Sequence, residues 1–432
     1  MSLATLDALR RGALDGAREL RLAHCGLTEF PLEIFGLSGT LEVLDLGFND
    51  LTALPADLGR LRRLRVLFGS GNRFARLPPV LGDCPALSQV GFRGSGLREV
   101  PAESLPPRLR WLTLTDNAIE ALPRAIGQRR ELRKLMLSGN HLRQLPDNLL
   151  DAPGLELMRI AANRLEALPP WLEAHPALAW LGWAGNPFDH GAASVAELVG
   201  WHELELGPLL GQGASGLVHR AVRHAGGDGS RQAVALKLFK GAMTSDGLPR
   251  HEMTACLLAG GHPQLVGAMG RLVGHPEGQE GLLMPLIPEH WRVLAGPPSL
   301  ESCTRDVYDP GLLLGAPVAR RIARGVAAAV AHLHGRGLLH GDLYAHNILW
   351  DGSAGEAVLS DFGAACFLPA DRAEGLARIE TRAFGLLLGE LLEHAEEPDA
   401  RLRDMQAWCL APRPADRPSM AEVARALALS PT

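Results

Sequence analysis

Leucine recurs through the first half of the chain with a period that neither a single helix nor a single strand produces. Leu41, Leu64, Leu87, Leu109, Leu132, Leu155 and Leu178 follow one another at intervals of 23, 23, 22, 23, 23 and 23 residues. Most units read L-x-x-L-x-L-x-x-N-x-L-x-x-L-P-x-x-L, and the one opened by Leu41 continues with Leu44, Leu46, Asn49, Leu51, Leu54 and Pro55. The alternation inside L-x-L is that of a strand, so each unit predicts one short strand whose two leucines point into a shared core. The ninth position is Asn49, Asn72, Asn117, Asn140, Asn163 or Asn186, with Cys25 in an earlier, first unit that starts at Ala17 and Ser95 in the fourth, opened by Leu87. An amide there can bond backbone groups at the turn that follows. Ahead of the units, Leu3, Leu6, Leu9 and Leu14 with charges between them predict a capping helix.

One such unit cannot bury its apolar face alone, so stability must come from stacking neighbours. The pattern is identified as a leucine-rich repeat, which implies an α/β solenoid over residues 1–190. The third and fifth positions of the units face its concave side and include Phe68, Trp111 and Trp180. Exposed aromatics in such places are typical of protein-binding surfaces, so a protein partner is expected there with these three as anchors. The bland alternative is that one or two of them pack against the second half of the chain.

The pattern changes after Asn186. Residues 191–203 read as a short rigid connection, since Ala192 to Val199 is apolar-patterned and carries no Pro/Ser-rich or charged run. A second domain over 204–432 is expected, with a first strand at Trp201–Leu206. Gly211-Gln-Gly-Ala-Ser-Gly216-Leu-Val218 has the G-x-G-x-x-G-x-V form, in which glycines let the backbone lie close over phosphates. A turn at Gly226–Gly229 and a strand Ala233–Lys237 follow, then a helix from Arg250 whose Glu252 is placed to pair with Lys237. Lys240 has no motif around it and is read as solvent-facing. Leu282–Ile287 reads as a buried strand, and Pro317–His334 as a long helix with Arg320, Arg321 and Arg324 on a solvated face.

The candidate chemistry lies in His340-Gly-Asp-Leu-Tyr-Ala-His-Asn347, with Asp361-Phe-Gly363 downstream. Asp342, Asn347 and Asp361 stand in an order and spacing suited to metal-assisted phosphoryl transfer from a nucleotide. Their hard oxygens suit Mg²⁺ and leave positions for phosphates. His340 and His346 have no second His or Cys at metal spacing, which argues against zinc. His340 is expected to hold the loop beneath Phe362.

Taken with Phe384-Gly and Asp416-Arg-Pro-Ser419, these motifs resemble a eukaryotic-type Ser/Thr protein kinase domain, an α+β fold of two lobes. The resemblance implies Asp342 as the base that orients the attacking hydroxyl, and Asn347 and Asp361 as Mg²⁺ ligands. It implies ATP beneath Gly211, Gly213, Ser215 and Gly216, with Lys237 and Glu252 at its phosphates. Val218, Ala235 and Leu349 would then sandwich the adenine, and Met284 would guard the back of the pocket. The chain as a whole thus resembles a leucine-rich-repeat protein kinase, a multidomain protein in which the repeats bring a partner or substrate to the transferase.

The match departs from that family around the loop. Gly341 replaces the arginine before the base, and Tyr344 replaces a lysine that touches the γ-phosphate, leaving Arg372 or Arg378 as substitutes. Glu380 replaces the aspartate that holds the loop from below. The segment from Phe362 to Ile379 is short and contains no Ser, Thr or Tyr, so activation by phosphorylation of this segment is not expected. Two other readings stay open: a nucleotide-binding pseudokinase scaffold and a small-molecule phosphotransferase.

Composition narrows the setting. A net charge of −5 gives no sign of nucleic-acid binding, and no run of eighteen apolar residues predicts a membrane span. The six scattered cysteines form no CxxC pair, which predicts reduced thiols and a cytoplasmic location. Lysine is almost abandoned for arginine, only Lys134, Lys237 and Lys240 remaining, so Lys237 is retained where a compact ammonium is needed.

Overall fold

The structure, a computed structural model, describes residues 2–189, 197–213, 215–224, 231–241, 243–244 and 246–429. The turn expected at Gly226–Gly229 and most of the connection expected at Ala192–Val199 lie outside the described residues. By contact the chain divides into Met1–Ala177 with Asn186–Phe188, and Leu178–Gly185 with Asp189–Thr432.

The first unit opens with helix α1 (Ser2–Arg10), which buries Leu6 and Leu9 and ends before Leu14. Seven three-residue strands follow: β1 (Glu19–Arg21), β2 (Val43–Asp45), β3 (Val66–Phe68), β4 (Gln89–Gly91), β5 (Trp111–Thr113), β6 (Lys134–Met136) and β7 (Leu157–Arg159). They pair in parallel, each strand in line with the one before. The leucines of L-x-L are inside, Leu44, Leu46, Leu135 and Leu137 all being fully buried. On the return side, single 3-10 turns follow Pro78, Pro123 and Pro146, where proline presets the backbone and no donor is lost.

The asparagines close each rung. Asn140 Oδ1 accepts from Ile119 N at 3.0 Å, and its Nδ2 donates to Leu114 O at 2.9 Å and Leu137 O at 3.0 Å. Ser95 still donates, to Gly69 O at 3.1 Å, so the shorter side chain keeps a bond to the neighbouring rung. Phe68 and Trp111 are half-buried. The Phe68 ring lies over Gly91, where a Cβ would meet it at 2.7 Å. Lys134 Nζ sits 4.1 Å from the Trp111 ring centre.

The second unit begins with β8 (Trp180–Gly182), where Trp183 takes the place of the second leucine of L-x-L and is fully buried with Leu181. Trp180 is the correction to the expected concave anchors. It is only 2% exposed, with its indole stacked on Tyr344, whereas Phe68 and Trp111 are half-buried.

A six-stranded sheet comes next. Its strands are β9 (Leu198–Gly200), β10 (Leu204–Gln212), β11 (Gly216–His224), β12 (Arg231–Phe239), β13 (Gly270–Val273) and β14 (Gly281–Pro285), in the order β10-β11-β12-β14-β13-β9. The strand expected from Trp201 starts at Leu204, because Gly200 N donates to Glu203 Oε1 at 2.7 Å and closes a 3-10 turn first. Strand β9 was not foreseen. It pairs in parallel with β13 and buries Val199 beside Val234, Leu236, Leu272 and Leu283. Helix α2 (Pro249–Ala259) follows β12; it starts with proline in its first turn and stops at Gly260, where φ is +65°.

In the rest of the unit, helix α3 (Ala316–Gly335) buries Ile322, Val326, Val330 and Leu333. Its arginine run is less solvated than expected, since Arg320 pairs with the buried Asp399 and Arg321 donates to Ala354 O at 2.6 Å. Asp399 in turn caps helix α5 (Ala400–Cys409). The strands β16 (Leu338–Leu339), β17 (Ile348–Trp350), β18 (Ala357–Leu359) and β19 (Cys366–Phe367), after the short β15 (Arg292–Val293), frame the loop 340–347.

Helix α4 (Ala373–Glu393) fixes that loop through Glu380, which is 1% exposed. Its carboxylate accepts from Gly341 N at 2.6 Å, from His340 N at 3.2 Å and from His334 Nε2 at 2.9 Å. Burial pushes the carboxyl up, but the bond and charge of His334, with His340 and the Gly341 N–H, outweigh it and hold Glu380 below the usual carboxylate range. The stabilisation is therefore complete above the unfolded carboxylate value of about 4.3 and is lost as pH falls through the lower folded value. Glu380→Gln is expected to cost about 3 kcal/mol at neutral pH. Denaturant titrations from about pH 7 to about pH 3 should show the wild type losing this advantage over Glu380→Gln on acidification. An unchanged difference across that range would contradict the assignment.

Candidate active site

The hairpin β10–β11 carries the glycine-rich turn and forms the roof of a cavity of about 500 Å³. Gly216 is required there by space, since a Cβ would lie 2.4 Å from Leu238 O. Gly213, Ser215, Gly216, Val218, Ala235, Lys237, Glu252, Met284, Leu349 and Asp361 all line the cavity. Gly211 does not, nor do Asp342 and Asn347, which sit on the adjoining loop. The walls also include Val266, Leu282, Ile287, Trp291 and Ser360, which no motif singled out.

Lys237 projects from β12 and forms a close ion pair with Glu252 in the first turn of α2. Burial pulls the ammonium down, but the carboxylates of Glu252 and Asp361 outweigh it and keep Lys237 above its ordinary value. A fixed positive charge thus faces the cavity. Cys256 lies one turn further along the helix, and burial with the Glu252 carboxylate pushes its thiol up to about 12, so it is no nucleophile. Lys240 was read as merely solvent-facing; it is exposed, yet its Nζ donates to Gly213 O at 3.1 Å and steadies the glycine turn.

The loop 340–347 is held from several directions. His340 is fully buried, its Nε2 lies 3.1 Å from Ser360 O, and its ring packs 5.5 Å from that of Phe362. Asn347 Nδ2 donates to Asp342 O at 2.9 Å and to Asp342 Oδ2 at 2.8 Å. Both bonds use the amide nitrogen, so the amide oxygen is the atom Asn347 offers to a cation. Asn347 O accepts from Ser360 N at 2.8 Å and Ser360 Oγ at 2.9 Å, which ties the loop to the residue before Asp361. Asp361 has φ +62°, a conformation that costs energy outside glycine and clusters at functional sites. Its Oδ1 accepts from Gly363 N at 3.0 Å.

His346 belongs to the scaffold. Its Nδ1 lies 2.7 Å from Asp306 Oδ1, and its N donates to Asp306 Oδ2 at 2.9 Å. Asp306 lies in a stretch where the sequence offered no signal. Arg378, one of two candidates for the missing cation, pairs with Glu374 on its own helix. Tyr344 is 4% exposed and brings no charge to the cavity. Among the described residues no cluster of three His, Cys, Asp or Glu could cage a metal by itself. The donor set that does exist, one amide oxygen and one carboxylate, fits a Mg²⁺-like ion that keeps most of its shell for phosphates and water.

Comparison with known proteins agrees with this arrangement. Residues 204–385 match the protein kinase domain. The rice CBL-interacting protein kinase 22 (Oryza sativa subsp. japonica) is 30% identical over 185 residues, 39% of this chain and 37% of that protein. Human leucine-rich repeat-containing protein 58 is 35% identical over 105 residues, 23% of this chain and 28% of that protein. Human PH domain leucine-rich repeat-containing protein phosphatase 1 is 34% identical over 99 residues, 23% of this chain and 6% of that protein. The chain thus spans well under two thirds of the length of each of these curated relatives. No helix of the described residues is long and apolar enough to cross a membrane. Parallel rungs with closing asparagines, followed by residues 204–385 that match the protein kinase domain and carry a formed lysine–glutamate pair, make the chain a leucine-rich-repeat array joined to a protein kinase domain.

Proposed function

We propose that the chain is an ATP- and Mg²⁺-dependent protein kinase acting on Ser or Thr of a protein substrate, with transferase residues 204–432 and repeat residues 1–190 that recruit substrate or partner. The observation that carries the reading is the formed Lys237–Glu252 pair, facing Asp361 in the cavity that Val218, Ala235 and Leu349 also line. A scaffold that bound no nucleotide would have no need to keep a charged lysine in place, and one that only bound nucleotide would have no need of Asp342, which Asn347 holds beside the cavity.

In this reading Val218, Ala235 and Leu349 hold the adenine between apolar side chains, with Met284 behind it. Gly211, Gly213, Ser215 and Gly216 cover the phosphates, and the Lys237 ammonium binds their oxygens. Asn347 Oδ1 and the Asp361 carboxylate hold the metal, which when bound neutralises charge on the phosphates. Asp342, its Oδ2 engaged by Asn347, orients the substrate hydroxyl and takes its proton. The buried Tyr344 favours one rival, the nucleotide-binding pseudokinase scaffold, because it leaves the lysine of the family unreplaced. A cytoplasmic location is proposed on the six cysteines, none of which is in a disulfide.

Labelled ATP with Mg²⁺, offered generic protein substrates, separates the readings. Asp342→Asn is expected to lower transfer to protein by about a thousandfold while nucleotide binding persists. Nucleotide binding without any transfer would favour the scaffold, and transfer to small alcohols alone would favour a small-molecule phosphotransferase. Because residues 362–379 hold no hydroxyl, phosphatase treatment should leave the rate of protein labelling unchanged; abolished labelling would overturn this. The half-buried Phe68 and Trp111 are the remaining candidate anchors on the repeat face. Replacing both by alanine should weaken capture of the protein substrate by about tenfold, measured as KM for that substrate with kcat unchanged.

A further inference from the structure

We propose that Trp180 is a positioning residue for the catalytic loop, and that the rung Leu178–Gly185 holds the loop where an activation segment would otherwise be needed. The inference rests on the kinase reading above. This rung belongs by its contacts to the second unit. Trp180 Nε1 donates to Leu343 O at 2.9 Å, one residue beyond Asp342. Its indole stacks on Tyr344, with centroids 4.2 Å apart and planes within 6°. The Arg305 guanidinium lies 5.4 Å from the indole centre, so the ring is gripped by a cation as well.

On the other flank of Asp342, Gly341 has φ +76°, and a Cβ there would lie 2.9 Å from Leu181 O and 2.5 Å from Ala364 O. Glycine at 341 is thus the condition for the rung's backbone to come this close. Trp183 N donates to Cys366 Sγ at 3.0 Å, just past Asp361-Phe-Gly363. A Cβ on Gly185 would lie 2.6 Å from the His251 ring, next to Glu252. One short segment therefore touches both sides of Asp342, the strand after Asp361 and the helix that carries Glu252. Two of the residues that depart from the kinase pattern, Gly341 and Tyr344, are among those it touches. Aromatic stacking and a buried hydrogen bond restrict the loop more tightly than a solvated lysine could.

The test uses the full chain with Trp180→Ala, Trp180→Phe, Tyr344→Leu and, as a control on the exposed face of α5, Trp408→Ala. Trp180→Ala should lower kcat by about tenfold with KM for ATP within about twofold, as expected for a displaced catalytic group. Trp180→Phe keeps the stack and should recover most of the rate. Tyr344→Leu should match Trp180→Ala, and the double variant should lose no more than either alone. Trp408→Ala should leave the rate unchanged. Amide exchange over residues 338–349 should rise in Trp180→Ala, with α3 unaffected. Undiminished kcat, a raised kcat from an unshielded site, or unchanged exchange would overturn the proposal. If Trp180→Ala does not fold, the phenylalanine and leucine variants carry the test. Wild type no faster than Asp342→Asn would instead sink the kinase reading, and the exchange experiment would still decide the role of the rung.

Discussion

The backbone just before Asp342 is anchored on one buried carboxylate. Glu380 is taken wholly out of water, which for an isolated charge is prohibitive. It is tolerated because the N–H groups of His340 and Gly341 and the His334 ring all donate to it. The pairing works in both directions. The carboxylate orients the loop backbone, and the loop supplies the donors that keep the carboxylate ionised. Asn347 then bridges to Asp342, and Ser360 joins the loop to the strained turn at Asp361.

Several departures from the kinase pattern become one arrangement when seen in space. The short segment after Asp361 brings β19 back at once to pair with β16, Leu338 opposite Phe367 and Leu339 opposite Cys366. That leaves Cys366 to accept from Trp183 N. Gly341 admits a carbonyl where a larger residue would exclude it, and Tyr344 offers a flat face to Trp180. Each substitution alone reads as a loss of catalytic or regulatory charge. Together they are where the rung Leu178–Gly185 meets the loop 340–347 and the strand after Asp361.

Much of the fold and site was legible in the sequence, for reasons of period and of narrow chemistry. The strands fall where L-x-L placed them because the strand period leaves the leucines only one face to bury. The asparagines were legible because their short amide reaches backbone both as donor and as acceptor. Lys237, Glu252 and Asp361, which the structure brings to one cavity, stood out as candidates because few residue types can hold phosphate or metal, and fewer still in that order. Serine at 95 was readable as tolerable because a hydroxyl keeps one of the bonds.

What sequence could not decide was which residues meet across long separations. Trp180 occupies the same repeat position as Trp111, the third of its unit, yet lies against Leu343, 163 residues away. His346 finds Asp306 from 40 residues off, and Arg320 finds Asp399 from 79, out of stretches with no period and no motif. Local pattern reports which face of an element is apolar or charged, and that much this chain determined by itself. Whether such a face meets water, a partner or a distant part of the same chain is set by packing, and only the tertiary structure placed Trp180 against the loop that carries Asp342.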